Sequence, residues 1–341
     1  METVLTGIAH PGPGRGRRSR ASEPAGSPAS GPLVTSVEMP APLDRDDNPL
    51  CLLTVHAHPD DEASKGAATV ARYEDEGVRA VLVCCTGGEA GDILNPAVDT
   101  PEIRADLHRV RMQELQASAA AIGYSAVHLL GYHDSGMPDT ETNQRPDNFA
   151  NAPLEEAVGR LVGIIRATRP QVIVTYADDR RFYPHPDHIR VHEISVPAFD
   201  AAGDPQQFPE MGPPWQPSKM YYTGFSRRRV VALHEAFLAR GEESPYASWF
   251  ERGLPERSDH FTTFVDVGDW LHRRRAALLA HRTQVDPEGF WMRIPDDVIR
   301  EVFPWEEFLL ARSRVDTGFG EGDVEDDLFA GVRKPADAAR A

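Results

Sequence analysis

The segment His56-Ala57-His58-Pro59-Asp60-Asp61-Glu62 sets imidazoles beside two adjacent carboxylates, directly after the apolar run Cys51-Leu52-Leu53-Thr54-Val55. Such a run reads as a buried strand, and open α/β sheets carry their chemistry beyond the carboxyl ends of strands. A second cluster, His185-Pro186-Asp187-His188, lies beyond another apolar run. A mononuclear metal hydrolase needs three protein ligands drawn from His and carboxylates, plus one open position. His58 and Asp61, three apart across a turn, can face one point, and His188 from another strand end completes a His₂Asp set. Asp60 adjoins a ligand, where a carboxylate can take a proton from water as general base. His185, three before His188, can face the substrate and stabilise an oxyanion or protonate a leaving amine. Asp187 can hydrogen-bond His185 and hold it protonated.

Blander readings weigh differently at each position. His-Pro-Asp-Asp alone is modest evidence, because Pro and Asp are ordinary turn residues. A second His-Pro-Asp-His at another strand end is hard to ascribe to turn chemistry. His56, two before His58, points to the other side of an extended strand and is expected to pack or to support the site. His192, four after His188 on a helix, is expected at solvent or behind the ligands. Gly87, Gly88 and Gly91 belong to no GxxxxGK[ST] or GxGxxG pattern, so a close-approach loop beside a polar substrate is the simpler reading.

The elements that must position these groups alternate. Strands are predicted at 51–55, 79–85, 127–130, 171–176 and 219–223, with helices over 62–76, 101–122, 154–168, 188–199, 230–240 and 270–282. This alternation predicts an α/β protein, Rossmann-like, with a mostly parallel doubly wound sheet and a smaller C-terminal lobe. Residues 1–48, rich in Gly, Pro, Ser and Ala, are expected to be a disordered extension, and Met39 marks an alternative start. Residues 49–200 are read as the α/β metal-hydrolase core. Residues 201–315, where prolines and aromatics crowd, are read as a smaller lobe shaping substrate access, and 316–341 as an acidic mobile tail.

Composition narrows the class. The net charge of −17 argues against nucleic acid, whose phosphates attract Lys and Arg. No stretch is long and apolar enough to span a membrane, and Arg15, Arg17, Arg18 and Arg20 lack the apolar run of a secretory signal. Cys51, Cys84 and Cys85 form no CxxC pair and read as buried thiols in a reducing cytosol. A cytoplasmic location is therefore expected.

Together these motifs resemble the PIG-L/LmbE-like zinc deacetylase family over about residues 50–330. The runs His56–Ala68, Val83–Pro96, Gly131–Met137 and Asp327–Gly331 are most like the branch that hydrolyses mycothiol S-conjugates. A sister branch deacetylates N-acetylglucosaminyl-inositol. The resemblance implies zinc on His58, Asp61 and His188 (ferrous iron also suits such a set), Asp60 as base and His185 at the oxyanion. It adds Tyr183 against the tetrahedral intermediate, and Arg111 and Asp134 against sugar and inositol hydroxyls; the residues alone read Arg111 as a solvated helix position. Lys65 stands at the amidase-like position. Asp92 stands where the deacetylase carries a glutamate and the amidase a small polar residue, which leaves room for dual activity. The expected reaction is zinc-dependent hydrolysis of a linear amide in a small thiol–sugar conjugate, giving glucosaminyl-inositol and a mercapturate. Deacetylation of the acetylated sugar is the alternative, and a homo-oligomer is compatible.

Overall fold

The computed structural model describes residues 41–180, 183–252, 260–320 and 322–335. The extension expected over 1–48 lies outside them as far as residue 40, as does the start expected at Met39. Among the described residues no helix is long and apolar enough to cross a membrane.

Seven strands form one sheet in the order β3-β2-β1-β4-β5-β7-β6. The strands are β1 (Cys51–His56), β2 (Arg79–Thr86), β3 (Ala126–Tyr132), β4 (Val172–Thr175), β5 (Lys219–Gly224), β6 (Thr263–Asp266) and β7 (Trp305–Ser313). β1 to β5 pair in parallel, and β7 runs antiparallel to both β5 and β6. β1 and β4 are buried along their whole length, as parallel strands covered on both faces must be. Side chains alternate between two cores. Leu52 packs with Tyr73, Phe237 and Phe308 on one face, and Leu53 and Val55 pack with Leu161, Ile165 and Phe199 on the other.

The helices are α1 (Asp61–Ser64), α2 (Ala67–Asp75), α3 (Pro101–Ala105), α4 (Leu107–Ile122), α5 (Leu154–Thr168), α6 (Pro186–Ala201), α7 (Arg227–Ala239), α8 (Ala247–Arg252), α9 (Leu271–Ala280) and α10 (Asp296–Val302). Two helices expected as continuous are broken. The first breaks at Lys65 and Gly66, where Gly66 adopts φ +91. The second breaks at Asp106, whose φ of −137 and ψ of 38 leave the helical region. α6 begins with Pro186 in its first turn, and the His185 imidazole caps it by accepting the Asp187 N–H.

The chain runs outward from β1 through β2 to β3, then returns to β4 on the other side of β1. The crevice at such a reversal is where open sheets bind ligands. The loops after β1 and β4, which carry both histidine clusters, meet there.

Within residues 201–315, β5, β7 and β6 extend the same sheet. The acidic tail packs rather than floats: Leu328 and Phe329 are fully buried, and Glu325 meets Lys219 Nζ at 3.0 Å. Its acidity signalled solvent only because the neutralising lysine lies 106 positions away. Ordered structure also begins before residue 48, where the buried Asp44 accepts hydrogen bonds from Gln171 Nε2 and from the Asn48 backbone.

Candidate active site

His58, Asp61 and His188 converge at the crevice. His58 Nδ1 lies 3.4 Å, and His188 Nε2 3.3 Å, from Asp61 Oδ2. His188 Nε2 is buried and makes no hydrogen bond, and its ring stacks on Tyr176 at 4.6 Å. The other ring nitrogen of His58, Nε2, faces Asp187 Oδ2 at 3.1 Å. Asp187 is held in turn by the Ser135 N–H at 2.9 Å and by the Ser135 hydroxyl. A carboxylate behind an imidazole, with the opposite nitrogen directed at a ligand point, is the arrangement that orients metal-bound histidines.

A second grouping, His58, His185 and Asp187, also brings ligand atoms together. There, however, the Asp187 oxygens already accept hydrogen bonds from Ser135, and His185 Nδ1 accepts the Asp187 N–H at 3.2 Å. The orphaned His188 nitrogen favours the His58, Asp61 and His188 set as the one that fits a divalent cation. The protonation states of His188 and Asp61 agree, whereas for His58 burial is outweighed by the Asp187 and Asp61 carboxylates, which raise its pKa well above the usual range. Burial drives His188 down to about 3 against the pull of Asp61. Burial would raise Asp61, but the adjoining His188 and Lys65 hold it well below the usual carboxylate range. A neutral imidazole and an ionised carboxylate are the forms a metal binds.

Asp60 sits at φ +142, a backbone conformation a non-glycine residue keeps only when its surroundings impose it. Its N–H donates to Glu62 Oε2 at 3.0 Å, and its carboxylate meets Arg111 Nη2 at 3.0 Å. Glu62 is fixed by His281 Nε2 at 2.5 Å and by the Ser118 hydroxyl. Burial raises the Asp60 carboxyl, the Arg111 guanidinium opposes that, and the Asp61 charge adds to it.

The remaining expected residues fall in different places. The Asp187 carboxylate, expected on His185, instead serves His58 and Ser135. Of Asp187 it is the backbone N–H that bonds His185, at 3.2 Å. With Nδ1 accepting that N–H, the proton of a neutral His185 resides on Nε2. Tyr183 is half exposed, and its ring lies 4.8 Å from His188 and 6.1 Å from His185. Lys65 Nζ pairs with Asp61 Oδ1.

Arg111 is buried, not solvated, and its Nη1 and Nη2 also donate to Gly88 O at 2.6 Å and Pro59 O at 2.7 Å. A Cβ on Gly88 would collide with the Arg111 guanidinium, so the glycine loop closes on this arginine. Asp134 is buried, accepts the Gly136 N–H at 2.8 Å and faces His58 Nε2 at 3.7 Å. Asp92 is exposed, and its carboxylate bonds none of these groups. His56 is buried with Nδ1 2.8 Å from the Tyr176 hydroxyl, and His192 bonds the Tyr176 carbonyl, so both support the site from behind.

Sequence reasoning missed Ser135, Tyr176, Ser118 and His281. Their side chains act on other side chains far away in the chain, and no spacing announces that. Glu62 carried a signal, its place in the cluster, but was given no role.

The residues from 53 to 199 match the PIG-L family, described as GlcNAc-PI de-N-acetylase. The mycothiol S-conjugate amidase of Streptomyces coelicolor is 47% identical over 295 residues, which span 84% of this chain and 99% of that protein. This chain belongs to the PIG-L family. A second relative, the 1D-myo-inositol 2-acetamido-2-deoxy-alpha-D-glucopyranoside deacetylase of Geodermatophilus obscurus, is 40% identical over 82% of this chain and 97% of its own length. A similar fold is seen in the N,N'-diacetylchitobiose deacetylase of Pyrococcus horikoshii, at a TM-score of 0.51 and 18% identity over 76% of this chain and 83% of that one. A conserved protein of Thermus thermophilus matches at the same TM-score, with 23% identity over 80% of this chain and 99% of that one.

Proposed function

We propose that the protein is a zinc-dependent amidase that hydrolyses the amide of mycothiol S-conjugates, releasing glucosaminyl-inositol and a mercapturate. The observation that carries this reading is the 47% identity to the Streptomyces amidase over 99% of its length, against 40% for the Geodermatophilus deacetylase. Lys65, on the oxygen of Asp61 that turns away from the histidines, is the local feature that agrees with it.

His58 Nδ1, Asp61 and His188 Nε2 would hold the cation. When bound, a divalent ion there supplies Lewis-acid polarisation of the amide oxygen and lowers the pKa of a coordinated water to about 7. Asp60, locked by Arg111 and Glu62, takes the proton from the attacking water. The Nε2–H of His185 and the Tyr183 hydroxyl donate to the carbonyl oxygen as negative charge develops on it. Asp60 then returns the proton to the departing amine, so the amide and one water become a carboxylic acid and an amine. Lys65, Arg111, Asp134 and Asp92 are the substrate-side residues of the proposal. Arg111 and Asp134 act from within by fixing Asp60 and His58, whereas Lys65 is engaged with Asp61 and Asp92 is exposed.

Metal quantification on two variants tests the division of roles. Asp60→Asn should retain its metal and lose about 10²- to 10⁴-fold in turnover, whereas His188→Ala should lose the metal. Loss of metal from Asp60→Asn would overturn the assignment.

A further inference from the structure

Lys65 is tied to Asp61 twice. Its backbone N–H donates to the Asp61 carbonyl at 2.9 Å, and its Nζ donates to Asp61 Oδ1. Ser64 braces the same turn: its hydroxyl donates to the Asp61 carbonyl at 3.2 Å and accepts from Lys65 Nζ at 3.3 Å. Lys65 leaves the helical region at φ −130 and ψ 85, and Gly66 follows at φ +91. The helix therefore stops one turn after Asp61, at the residue that reaches back to it.

The two oxygens of Asp61 have separate occupations. Oδ2 faces His58 Nδ1 at 3.4 Å and His188 Nε2 at 3.3 Å, and accepts the His58 N–H at 3.0 Å. Oδ1 is taken by the ammonium. The Lys65 side chain is only 23% exposed. Its Nζ lies 5.7 Å from the centre of the Tyr176 ring, the ring that stacks on His188 at 4.6 Å. Ion pairs this enclosed add little net stability once desolvation is counted, so the value of the pair lies in what it does to the carboxylate. A carboxylate with both oxygens free can chelate a cation, and its second oxygen then fills a position that a catalytic site must leave to water or substrate. An oxygen engaged in a charge-assisted hydrogen bond is withheld from that role.

We infer that Lys65 is a positioning residue of the metal centre. It occupies Asp61 Oδ1, restricts Asp61 to a single-oxygen ligand through Oδ2, and so keeps a coordination position open. The same ammonium draws charge from the carboxylate and repels the cation, so the site holds its ion less tightly than the three ligands alone would. This inference rests on the reading of His58, Asp61 and His188 as the metal set.

A crystal structure of the zinc-loaded wild type tests it without turnover. Asp61 Oδ2 should lie about 2.0–2.2 Å from the ion, with Oδ1 off the ion and on Lys65 Nζ. Both Asp61 oxygens on the ion, or Lys65 turned away from Asp61, would overturn the inference alone. Zinc bound elsewhere would overturn the metal assignment together with it. Two variants extend the test. In cobalt-substituted protein the visible bands should weaken in Lys65→Met, because their intensity falls as coordination number rises, and Lys65→Arg, which can still donate to Oδ1, should keep most of the wild-type intensity. Zinc should bind Lys65→Met at least about tenfold tighter in competition with a chelator, since a positive charge beside the ion is gone. Its kcat should fall with KM little changed. Bands and zinc affinity equal to the wild type, or a change confined to KM, would overturn the inference.

Discussion

His281 Nε2 and Glu62 Oε1, 219 positions apart in the chain, meet at 2.5 Å with both side chains buried. The second oxygen of Glu62 accepts the Asp60 N–H. A helix end in the C-terminal part thus fixes the backbone of the proposed base, and the positive φ of Asp60 persists because Glu62 on one side and Arg111 on the other impose it.

Loosening that link should slow chemistry without touching the metal. His281→Ala frees Glu62 to turn from Asp60, and kcat should fall about 10- to 100-fold, the range for groups that orient others, with KM and metal content little changed. His281→Gln, whose amide can donate to Glu62, should recover part of the loss. Steady-state kinetics with metal quantification checks this, and a change confined to KM would contradict it.

Arg111 sets the acid side of the pH profile. Its guanidinium stabilises the charged Asp60 and opposes the effect of burial. The base acts deprotonated, so removing the positive charge raises its pKa and shortens the active range from below. Arg111→Met should move the acid limb of kcat/KM to higher pH than in the wild type. A limb that stays, or moves to lower pH, would show that Asp60 is not the titrating base.

Ser135 and Asp187 act through His58. Ser135→Ala removes a hydroxyl and leaves the Asp187 carboxylate less restrained. Metal affinity should fall about 10- to 100-fold, measured by competition with a chelator of known affinity. Unchanged affinity would contradict the role given to Ser135.

The C-terminal segment is structural. Lys219→Met leaves Glu325 buried without its cation and should destabilise by about 3–5 kcal/mol in chemical denaturation. The double variant Lys219→Met, Glu325→Gln should regain most of it, because the uncharged amide that replaces the carboxylate can still accept from Tyr221 and Thr263. Additive losses would contradict the pairing.

The sequence made the centre of the site legible and its supports illegible. β1 and the helix at 154–168 announced themselves through apolar runs and periodicity, and the two histidine clusters lie where strand ends were expected. β6 and β7 went unseen because their apolar residues are interrupted by Glu306, Glu307 and Asp266; the burial of the two glutamates depends on Arg229 and the start of α2. The helix breaks at Gly66 and Asp106 were missed because the hydrophobic pattern continues across them. Asp187 was assigned to its neighbour His185, whereas the fold turns its carboxylate to His58, 129 positions away.

The most direct measurement is kcat/KM of metal-quantified protein on a mycothiol S-conjugate and on N-acetylglucosaminyl-inositol, with and without a chelator. The conjugate should be the better substrate, and the chelator should abolish both activities. A higher kcat/KM for the acetylated sugar, or turnover that survives metal removal, would contradict the assignment.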